Sequence, residues 1–328
     1  MFSLSVIVPN YNGRRHLERL LPSACRLAPP GTQILMIDDA SGDDSVAWTR
    51  RRFPRVEVVA AERNGGFCAA VNAGLDRASG DIVELLNNDT EVLPGWPDAC
   101  LHHFADPTVG SVAPLVLQMG DPGLIDSAGQ EYHFCGWAYD RGHGRPLDGA
   151  FLTAGEVFGP SGSSGFYRRE ALTRTGGLLP EYGAYFEDTD LAFRLRWAGY
   201  RCIYEPATRV LHAGGSSYGK QSPRTTRSLA RNEELAFWIN LPPRDLLVGL
   251  APHLAFQLVR LARHATTGRL WPYLCGKWEA LRAWRLICRR RREAQRLAAR
   301  PARPALGMQT SWSVLGRGID WLRRRRCA

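Results

Sequence analysis

Short apolar runs alternate with segments of helical periodicity through the N-terminal part of the chain. Residues 4–8, 33–37, 56–60 and 82–86 each form an apolar run of strand length. Leu17, Leu20 and Leu21 recur at helical spacing between the first two runs, and residues 67–77 predict another helix. Buried strands separated by helices predict an α/β fold with a mostly parallel sheet flanked by helices.

Polar clusters follow two of these predicted strands. Asp38 and Asp39 end the second, and Asn87, Asn88 and Asp89 end the fourth. Each cluster alone is typical of a turn or a helix cap. Ligands of parallel sheets bind at the carboxyl ends of the strands. Together the clusters therefore favour a site where a base or ribose contacts Asp38 and Asp39 and a metal-bound diphosphate lies beside Asp89.

Neither of the two commonest phosphate loops occurs in the sequence. No G-x-G-x-x-G follows the first strand, and no G-x-x-x-x-G-K-[ST] occurs anywhere. This disfavours dinucleotide oxidoreductases and P-loop enzymes. If a nucleotide binds, a divalent metal held by carboxylates would have to neutralise its phosphates.

A second acidic cluster marks the start of a helix predicted over residues 185–199. Glu187, Asp188 and Asp190 suit the helix dipole, but three carboxylates exceed what a cap needs. Like charges raise one another's proton affinity, which is how a general base arises. His212 follows a later apolar strand; such a histidine is usually structural, but its imidazole also suits a carboxylate-bound metal.

The motifs around these residues, taken in order, resemble the family 2 glycosyltransferases, particularly their rhamnosyltransferase-like branch. The resemblance covers about residues 1–240. It is carried by SVIVPNYNG (5–13), MIDDASGDDS (36–45), ERNGGFCAAVNAGL (62–75), GDIVELLNNDTEV (80–92), SGSSGFYRREALTRTGGL (161–178), FEDTDLAFRLRWAGYR (186–201) and VLHAGGSS (210–217). Each motif alone is weak, but seven in one order are specific.

This resemblance implies a GT-A fold, an inverting reaction and a set of site residues. The donor residues are Pro9, Tyr11, Asn12, Asp38, Asp39, Asn64, Gly66, Phe67, Asn72, Asn87 and Asn88. Asp188, in the Glu187-Asp188 motif, takes the place of the catalytic base, and Glu187 is the second catalytic residue that the resemblance implies. Asp89 and His212 take the places of ligands to Mg²⁺ or Mn²⁺, and Asn87 stands where the family often has an aspartate.

The basic residues are concentrated in the C-terminal third. Residues 219–328 carry 23 Lys/Arg against 6 Asp/Glu, whereas residues 1–218 carry 19 against 26. Such asymmetry predicts contact with an anionic surface. A nucleic-acid partner is disfavoured because no recognised module accompanies the arginines. The N-terminal run lacks a basic flank, which argues against a signal peptide, and the absence of CxxC pairs argues against a structural zinc site, so a cytoplasmic setting is expected.

Leu250, Leu254, Leu258 and Leu261 share one face of a predicted amphipathic helix within residues 246–262. Polar residues, Arg260 among them, interrupt that stretch and make a membrane span improbable. Tryptophans and arginine runs follow it, including residues 289–292 and 321–326. Packing on the domain and lying on an anionic leaflet both remain open for these helices.

The expected protein is a metal-dependent inverting glycosyltransferase on the inner face of the cytoplasmic membrane. Residues 1–240 form the nucleotide-sugar domain, and residues 241–328 form a basic amphipathic helical extension that associates with membrane. The acceptor is a glycan or a lipid-linked glycan, and the resemblance favours a rhamnose donor. The segment 130–139 is either an acceptor region or a buried edge hairpin. Sugar-nucleotide pyrophosphorylase chemistry and a catalytically silent nucleotide-sugar- or lipid-binding scaffold are the alternatives.

Overall fold

A computed structural model describes residues 2–214 and 222–298 of the chain. Within its first part, strands and helices alternate as the apolar pattern predicts. The elements are β1 (Leu4–Asn10), α1 (Arg14–Leu27), β2 (Gln33–Asp38), α2 (Ser45–Arg52), β3 (Val56–Ala60), α3 (Phe67–Leu75), β4 (Ile82–Leu86), β5 (Thr90–Val92) and α4 (Asp98–His102). All four predicted strands and both predicted helices are present.

The following part of the chain completes the sheet and adds helices at its end. Its elements are β6 (Val109–Gln118), β7 (Asp121–Ser127), β8 (Gln130–His133), β9 (Trp137–Asp140), β10 (Gly155–Val157), β11 (Ser164–Arg168), α5 (Arg169–Thr175), α6 (Glu187–Trp197), β12 (Arg201–His212), α7 (Pro223–Asn240), α8 (Pro243–Thr266), α9 (Leu270–Arg282) and α10 (Trp284–Arg296). Strands β8 and β9 form a separate hairpin.

The large sheet has the strand order β10-β12-β6-β11-β4-β1-β2-β3, with β5 paired to β12 and β7 to β6. Strands β3, β2, β1 and β4 are mutually parallel. Beyond them β11 is antiparallel to both its neighbours, while β6 and β12 are parallel to each other. The predicted α/β fold with a sheet flanked by helices is confirmed. The sheet is mixed, and its parallel half is the part that the apolar runs predicted.

Each face of the parallel half carries its own apolar core. On one face, Val6 and Val8 of β1 pack with the fully buried Leu17, Leu20 and Leu21 of α1. On the other face Ile7 packs with α3. Successive residues of a strand point to opposite faces, so an uninterrupted apolar run is what a sheet covered on both sides requires. The carboxyl ends of β1, β2 and β4 therefore meet at one edge.

The C-terminal helices pack on the part of the chain that precedes them. Ile287 of α10 joins the core that holds Leu235 and Ile239 of α7. Gly276 of α9 lies so close to α7 that an added Cβ would stand 2.3 Å from the Arg227 carbonyl oxygen. The boundary expected at residue 240 thus falls between two helices but not between two cores. The run 321–326 lies outside the described residues.

By length and composition, α8 is apolar enough to cross a membrane, and in the part of the chain that the structure describes it is the one helix that meets this test. The helix is amphipathic, as expected. Two of its leucines, however, do not pack on the domain: Leu254 and Leu258 are 56% and 66% exposed.

Candidate functional site

A cleft of about 440 Å³ lies at the carboxyl edge of the sheet. Ligand sites are expected at this edge, and the volume falls in the range of small-molecule pockets. Its lining comes from residues far apart in sequence: Pro9, Asn10, Tyr11, Asp39, Phe67, Ala70, Asn87, Asn88, Asp89, Asp126, Asp140, Ser161, Gly162, Ser163, Ala184, Tyr185, Glu187, Asp188, His212 and Arg224. Nine of the residues predicted for donor, metal and base are among them.

Asp39 forms the floor of the predicted donor half. Its carboxylate accepts hydrogen bonds from the backbone N–H groups of Gly65 and Gly66 at 2.7 and 2.8 Å. Gly66 has φ +84°, a conformation that favours glycine. The Asn64 amide donates to the Asp39 carbonyl at 3.2 Å. Asn64 and Gly66 therefore act on the cleft through Asp39, while Phe67 lines it directly.

The neighbouring Asp38 points away from the cleft. Its carboxylate accepts from the Asn10 side-chain amide at 2.9 Å and from both the backbone N–H and the hydroxyl of Ser41. It therefore fastens the turn after β2. The Asn12 side chain also stabilises this turn, because its oxygen accepts a hydrogen bond from the Gly42 N–H at 2.7 Å. Neither residue is part of the cleft lining.

Asn72 also lies outside the lining. Its side-chain amide donates to the Leu178 carbonyl at 2.8 Å and accepts from the Leu178 N–H at 2.9 Å. The residue ties α3 to the chain after α5. The donor-site role implied for Asn72 thus has no direct contact to support it.

The Asn87-Asn88-Asp89 cluster is held in place from β1. Asn88 donates to the Asn10 side-chain oxygen at 2.9 Å. Gly13 allows this approach, because an added Cβ would stand 2.1 Å from the Asn88 side-chain nitrogen. Asn88 and Asp89 are both buried, and both line the cleft.

His212, at the end of β12, connects two carboxylates. Its Nε2 lies 3.3 Å from Asp89 Oδ1, and its Nδ1 lies 2.7 Å from Asp126 Oδ2. Burial opposes the imidazolium charge, but the hydrogen bonds that the imidazolium donates to Asp126 and Asp89 outweigh burial and raise the pKa of His212 to about 10.

Asp89 and His212 would suit a divalent metal that takes the place of a proton on the imidazole, because a ligating histidine is neutral. In the described ranges no group of three or more His, Cys, Asp or Glu side chains is arranged to hold a metal ion alone. Mg²⁺ typically binds one or two protein ligands together with substrate phosphates, so a pair is sufficient. Nearby, Asp140 Oδ1 is buried without a hydrogen-bond partner, and burial followed by the charges of Asp126 and Asp188 raises the pKa of Asp140 to about 7.

Asp188 stands at the first turn of α6 with both carboxylate oxygens hydrogen-bonded. Its Oδ2 accepts from the Gln130 amide at 2.7 Å and from the Gly162 N–H at 2.8 Å, and its Oδ1 accepts from the Thr189 N–H at 2.7 Å. Burial raises the pKa of Asp188 above its ordinary value, and these hydrogen bonds oppose the rise. The carboxylate is thus oriented toward the cleft and made more basic.

Glu187 differs from its neighbour in partners and in charge. Its Oε2 is buried without a hydrogen bond, and burial together with the charge of Asp188 raises the pKa of Glu187 well above its ordinary value. The two residues before it, Tyr185 and Phe186, have φ of +73° and +68°. Such strain costs about 1–3 kcal/mol per residue and is found at functional sites. Asp190, by contrast, forms a buried ion pair with Arg194 at 2.7 Å.

Asp126, Asp140 and Arg224 line the cleft but were not predicted as site residues, and Gln130 was predicted only as the start of the candidate acceptor segment 130–139. Asp126 lies in β7, and Asp140 ends the β8–β9 hairpin, whose first residue, Gln130, reaches Asp188. The density of aromatic and charged residues over 130–145 was a signal for the hairpin, whereas Asp126 and Arg224 lie outside that segment. The hairpin has buried residues, including Tyr132, as the buried-hairpin interpretation expects, and its role as an acceptor region stays a prediction.

Comparisons with known proteins show the family of the chain and its fold. The family profile "Glycosyl transferase family 2" matches residues 5–176. The N-acetylglucosaminyl-diphospho-decaprenol L-rhamnosyltransferase of Mycobacterium tuberculosis is 29% identical over 245 residues, covering 66% of this chain and 78% of that protein.

Two solved structures share the fold at low identity. S. aureus TarS 1-349 in complex with UDP-GlcNAc aligns at TM-score 0.58 and 15% identity, over 94% of this chain and 97% of that one. GalNAc-T7 with UDP, GalNAc and Mn²⁺ aligns at TM-score 0.60 and 18% identity, over 73% of this chain and 48% of that one. The resemblance drawn from the motifs and the GT-A type fold expected from it are both confirmed.

Proposed function

The chain belongs to glycosyltransferase family 2, and from that premise we propose that it is an inverting, metal-dependent enzyme of cell-surface polysaccharide synthesis. It transfers a sugar from a nucleoside diphosphate donor to a glycan or lipid-linked acceptor. The observation that carries this proposal is the shared cleft: an oriented carboxylate, Asp188, and the Asp89–His212 pair line the same 440 Å³ space as Asp39.

Asp188 acts as the general base. An acceptor hydroxyl beside its carboxylate gives up a proton as the hydroxyl oxygen attacks the anomeric carbon of the donor sugar. The bond between that carbon and the diphosphate oxygen breaks, and its electron pair leaves with the nucleoside diphosphate. A single displacement inverts the anomeric configuration. Glu187, whose raised pKa favours the protonated form, supports Asp188 as a neutral neighbour.

Asp89 and His212 are the residues that would hold the metal. A bound Mg²⁺ or Mn²⁺ would supply charge neutralisation for the departing diphosphate. Asp39, with its two backbone N–H donors, and Tyr11, whose ring is half exposed at the cleft, bind the nucleoside part. Pro9, Phe67, Asn87 and Asn88 complete that half of the site.

Rhamnose is the donor sugar that we propose. Support comes from the aligned Mycobacterium tuberculosis protein, whose name gives an L-rhamnosyltransferase and a decaprenol-linked substrate. We place the acceptor end of the reaction at the inner face of the cytoplasmic membrane, since residues 241–328 carry the excess of basic charge that an anionic leaflet attracts.

A donor-hydrolysis screen tests the proposal. The full chain is incubated with Mn²⁺ and deoxythymidine diphosphate rhamnose, or with galactose, glucose or mannose donors, and the released nucleotide is identified. Metal-dependent release of a nucleoside diphosphate from one donor supports the proposal, and product NMR then reports whether the anomeric configuration is inverted. With pyrophosphate added, release of a nucleoside triphosphate and a sugar 1-phosphate would instead indicate pyrophosphorylase chemistry. Release of neither product from any donor would favour the silent scaffold.

A further inference from the structure

Helix α8 turns its polar side toward the protein. His253 is buried, and its Nε2 lies 3.2 Å from the Glu234 carboxylate of α7. One turn further, Gln257 donates to Glu233 at 3.3 Å, and Arg260 lies 3.5 Å from the same carboxylate. Helix α8 thus packs against the protein through its polar stripe, which contacts two adjacent glutamates of α7.

Helix α9 contributes to the same buried network. Lys277 lies 2.6 Å from Glu234 and 3.6 Å from Glu233, and the Tyr273 hydroxyl donates to Gln257 at 2.6 Å. Burial raises the proton affinity of Glu234, but His253 and Lys277 overcome it and lower the pKa of Glu234 to about 2. Charged and hydrogen-bonded side chains therefore fasten α8 and α9 to α7.

The apolar side chains of the two helices point the other way. Leu247, Trp271 and Trp278 are 79%, 75% and 61% exposed. We define the outward face by six of its exposed members on α8 and α9: Leu247, Val248, Leu254, Leu258, Trp271 and Trp278. A surface helix in water packs such a stripe inward. The reversed arrangement indicates an apolar environment outside the protein.

Charge identifies that environment. Residues 243–298 carry 12 Lys/Arg against 3 Asp/Glu, and Arg282, Arg285 and Arg289 are exposed beside the tryptophans. Two copies of one basic face repel each other, whereas an anionic leaflet attracts it. Tryptophans next to arginines are typical of the boundary between acyl chains and headgroups.

We propose that the outward face of α8 and α9 is a lipid-inserting surface, which lies in the plane of an anionic bilayer with its leucines and tryptophans about 5–10 Å deep. Helix α8 is long enough to cross a membrane, but a crossing would separate His253, Gln257 and Arg260 from the α7 glutamates. The helix therefore lies on the membrane and does not span it. The inference builds on the membrane location in the proposed function, but lipid insertion is measurable without turnover.

Vesicle flotation with the full chain provides the first measurement. We expect binding to vesicles that contain phosphatidylglycerol, weaker binding to pure phosphatidylcholine, and partial retention when salt is raised from about 0.1 M to about 0.5 M, because buried apolar area is not screened. Complete release at the higher salt would overturn insertion in favour of purely electrostatic contact. Failure to float with anionic vesicles would overturn the proposal outright.

A matched pair of variants locates the surface. Leu254→Glu with Leu258→Glu places two carboxylates on the outward face and should lower the partition coefficient by about tenfold or more. Leu152→Glu is the control, because Leu152 is similarly exposed, at 51%, but belongs to the catalytic part of the chain. Equal flotation of the double variant and the control would overturn the assignment. A thermal unfolding transition and nucleotide binding like those of the parent protein would show that the double variant is folded.

Fluorescence quenching by brominated lipids reports depth independently of flotation. Quenching should be strong with bromines near the headgroup and should fall in Trp271→Phe with Trp278→Phe. Absence of quenching in bound protein would contradict insertion. Sedimentation without lipid tests whether a second copy of the chain covers the outward face instead. If the parent protein is a dimer and Leu254→Glu with Leu258→Glu dissociates it, a second copy covers the face and the proposal is wrong. Loss of sugar transfer with flotation intact would count against the proposed function only.

Discussion

Gln130, the first residue of the β8–β9 hairpin, donates its side-chain amide to Asp188 Oδ2 at 2.7 Å. The two residues lie 58 positions apart in the chain. A hydrogen bond to an ionised carboxylate stabilises its charge, so Gln130 lowers the pKa of the proposed base and also fixes its direction. Gln130 is therefore a positioning residue that links the hairpin to the chemistry.

Gln130→Ala should lower kcat by about tenfold and move the acidic limb of the kcat–pH profile to higher pH. The sign follows from the lost donor: without it the Asp188 pKa rises, and the base is protonated at a higher pH. Gln33→Ala is the control, because Gln33 is hydrogen-bonded to Ser5 and Ser79 away from the cleft. An unshifted limb in Gln130→Ala would contradict the role.

Asp188→Asn should lower transfer by about 10²- to 10⁴-fold with little change in donor affinity, since the amide keeps the size of the side chain but accepts no proton. Glu187→Gln should retain activity to within about tenfold, because the raised pKa of Glu187 makes a neutral amide a fair substitute. Steady-state kinetics and donor titration measure both. The reverse order of effects would transfer the base role to Glu187.

Asp126→Asn should lower the apparent affinity of the enzyme for Mn²⁺ by about 10- to 100-fold, which is the usual effect of losing a carboxylate that orients a ligating histidine. Asp89→Ala and His212→Ala should weaken it further, and a chelator should abolish transfer by the parent protein. Mn²⁺ binding followed by electron paramagnetic resonance gives a readout that needs no turnover. Full activity of the parent protein in excess chelator would remove the metal from the mechanism.

Glu84, which is not part of the cleft lining, makes stability depend on pH. Burial raises its pKa to about 8, although Trp96 and Ser164 donate hydrogen bonds to the carboxyl group. The folded state therefore retains a proton that the unfolded state has already lost above its pKa of about 4.3. Stability should fall as pH rises from that value to about 8, by at most about 1.4 kcal/mol per pH unit.

Glu84→Gln should flatten this dependence, because the amide stays neutral at every pH. Thermal unfolding at several pH values between 5 and 9 would compare the variant with the parent protein. Glu57→Gln is a suitable control, since the Glu57 side chain on β3 is exposed. A parent protein whose unfolding temperature rises over this range would contradict the expected sign.

The sequence alone determined the secondary structure of the first half and the edge at which the site lies. Apolar runs such as 4–8 and 82–86 bury both of their faces, so they specify central strands of a covered sheet. The ends of parallel strands then bring Asp39 and Asp89 to one edge, whatever the details of packing. The order of the motifs identified the family for a similar reason, because each motif is a local sequence pattern that reflects local structure.

Tertiary structure decided which side chains face the cleft. Asp38 and Asp39 are adjacent and chemically identical, yet neighbouring side chains of an extended chain point in opposite directions. The Asp38 carboxylate is hydrogen-bonded to Ser41 in the turn, whereas Asp39 faces the cleft. No local spacing joins Asp126 to His212 or Gln130 to Asp188. The first contact needs β7 and β12 to pair with β6, and the second needs the β8–β9 hairpin to meet α6.

The orientation of α8 was undetermined by sequence for a related reason. Helical periodicity separates a leucine stripe from a polar stripe, but it does not state which stripe packs against the protein. The partner decides: Glu233 and Glu234 of α7 pair with Arg260 and His253, so the polar stripe turns inward and the leucines remain outside.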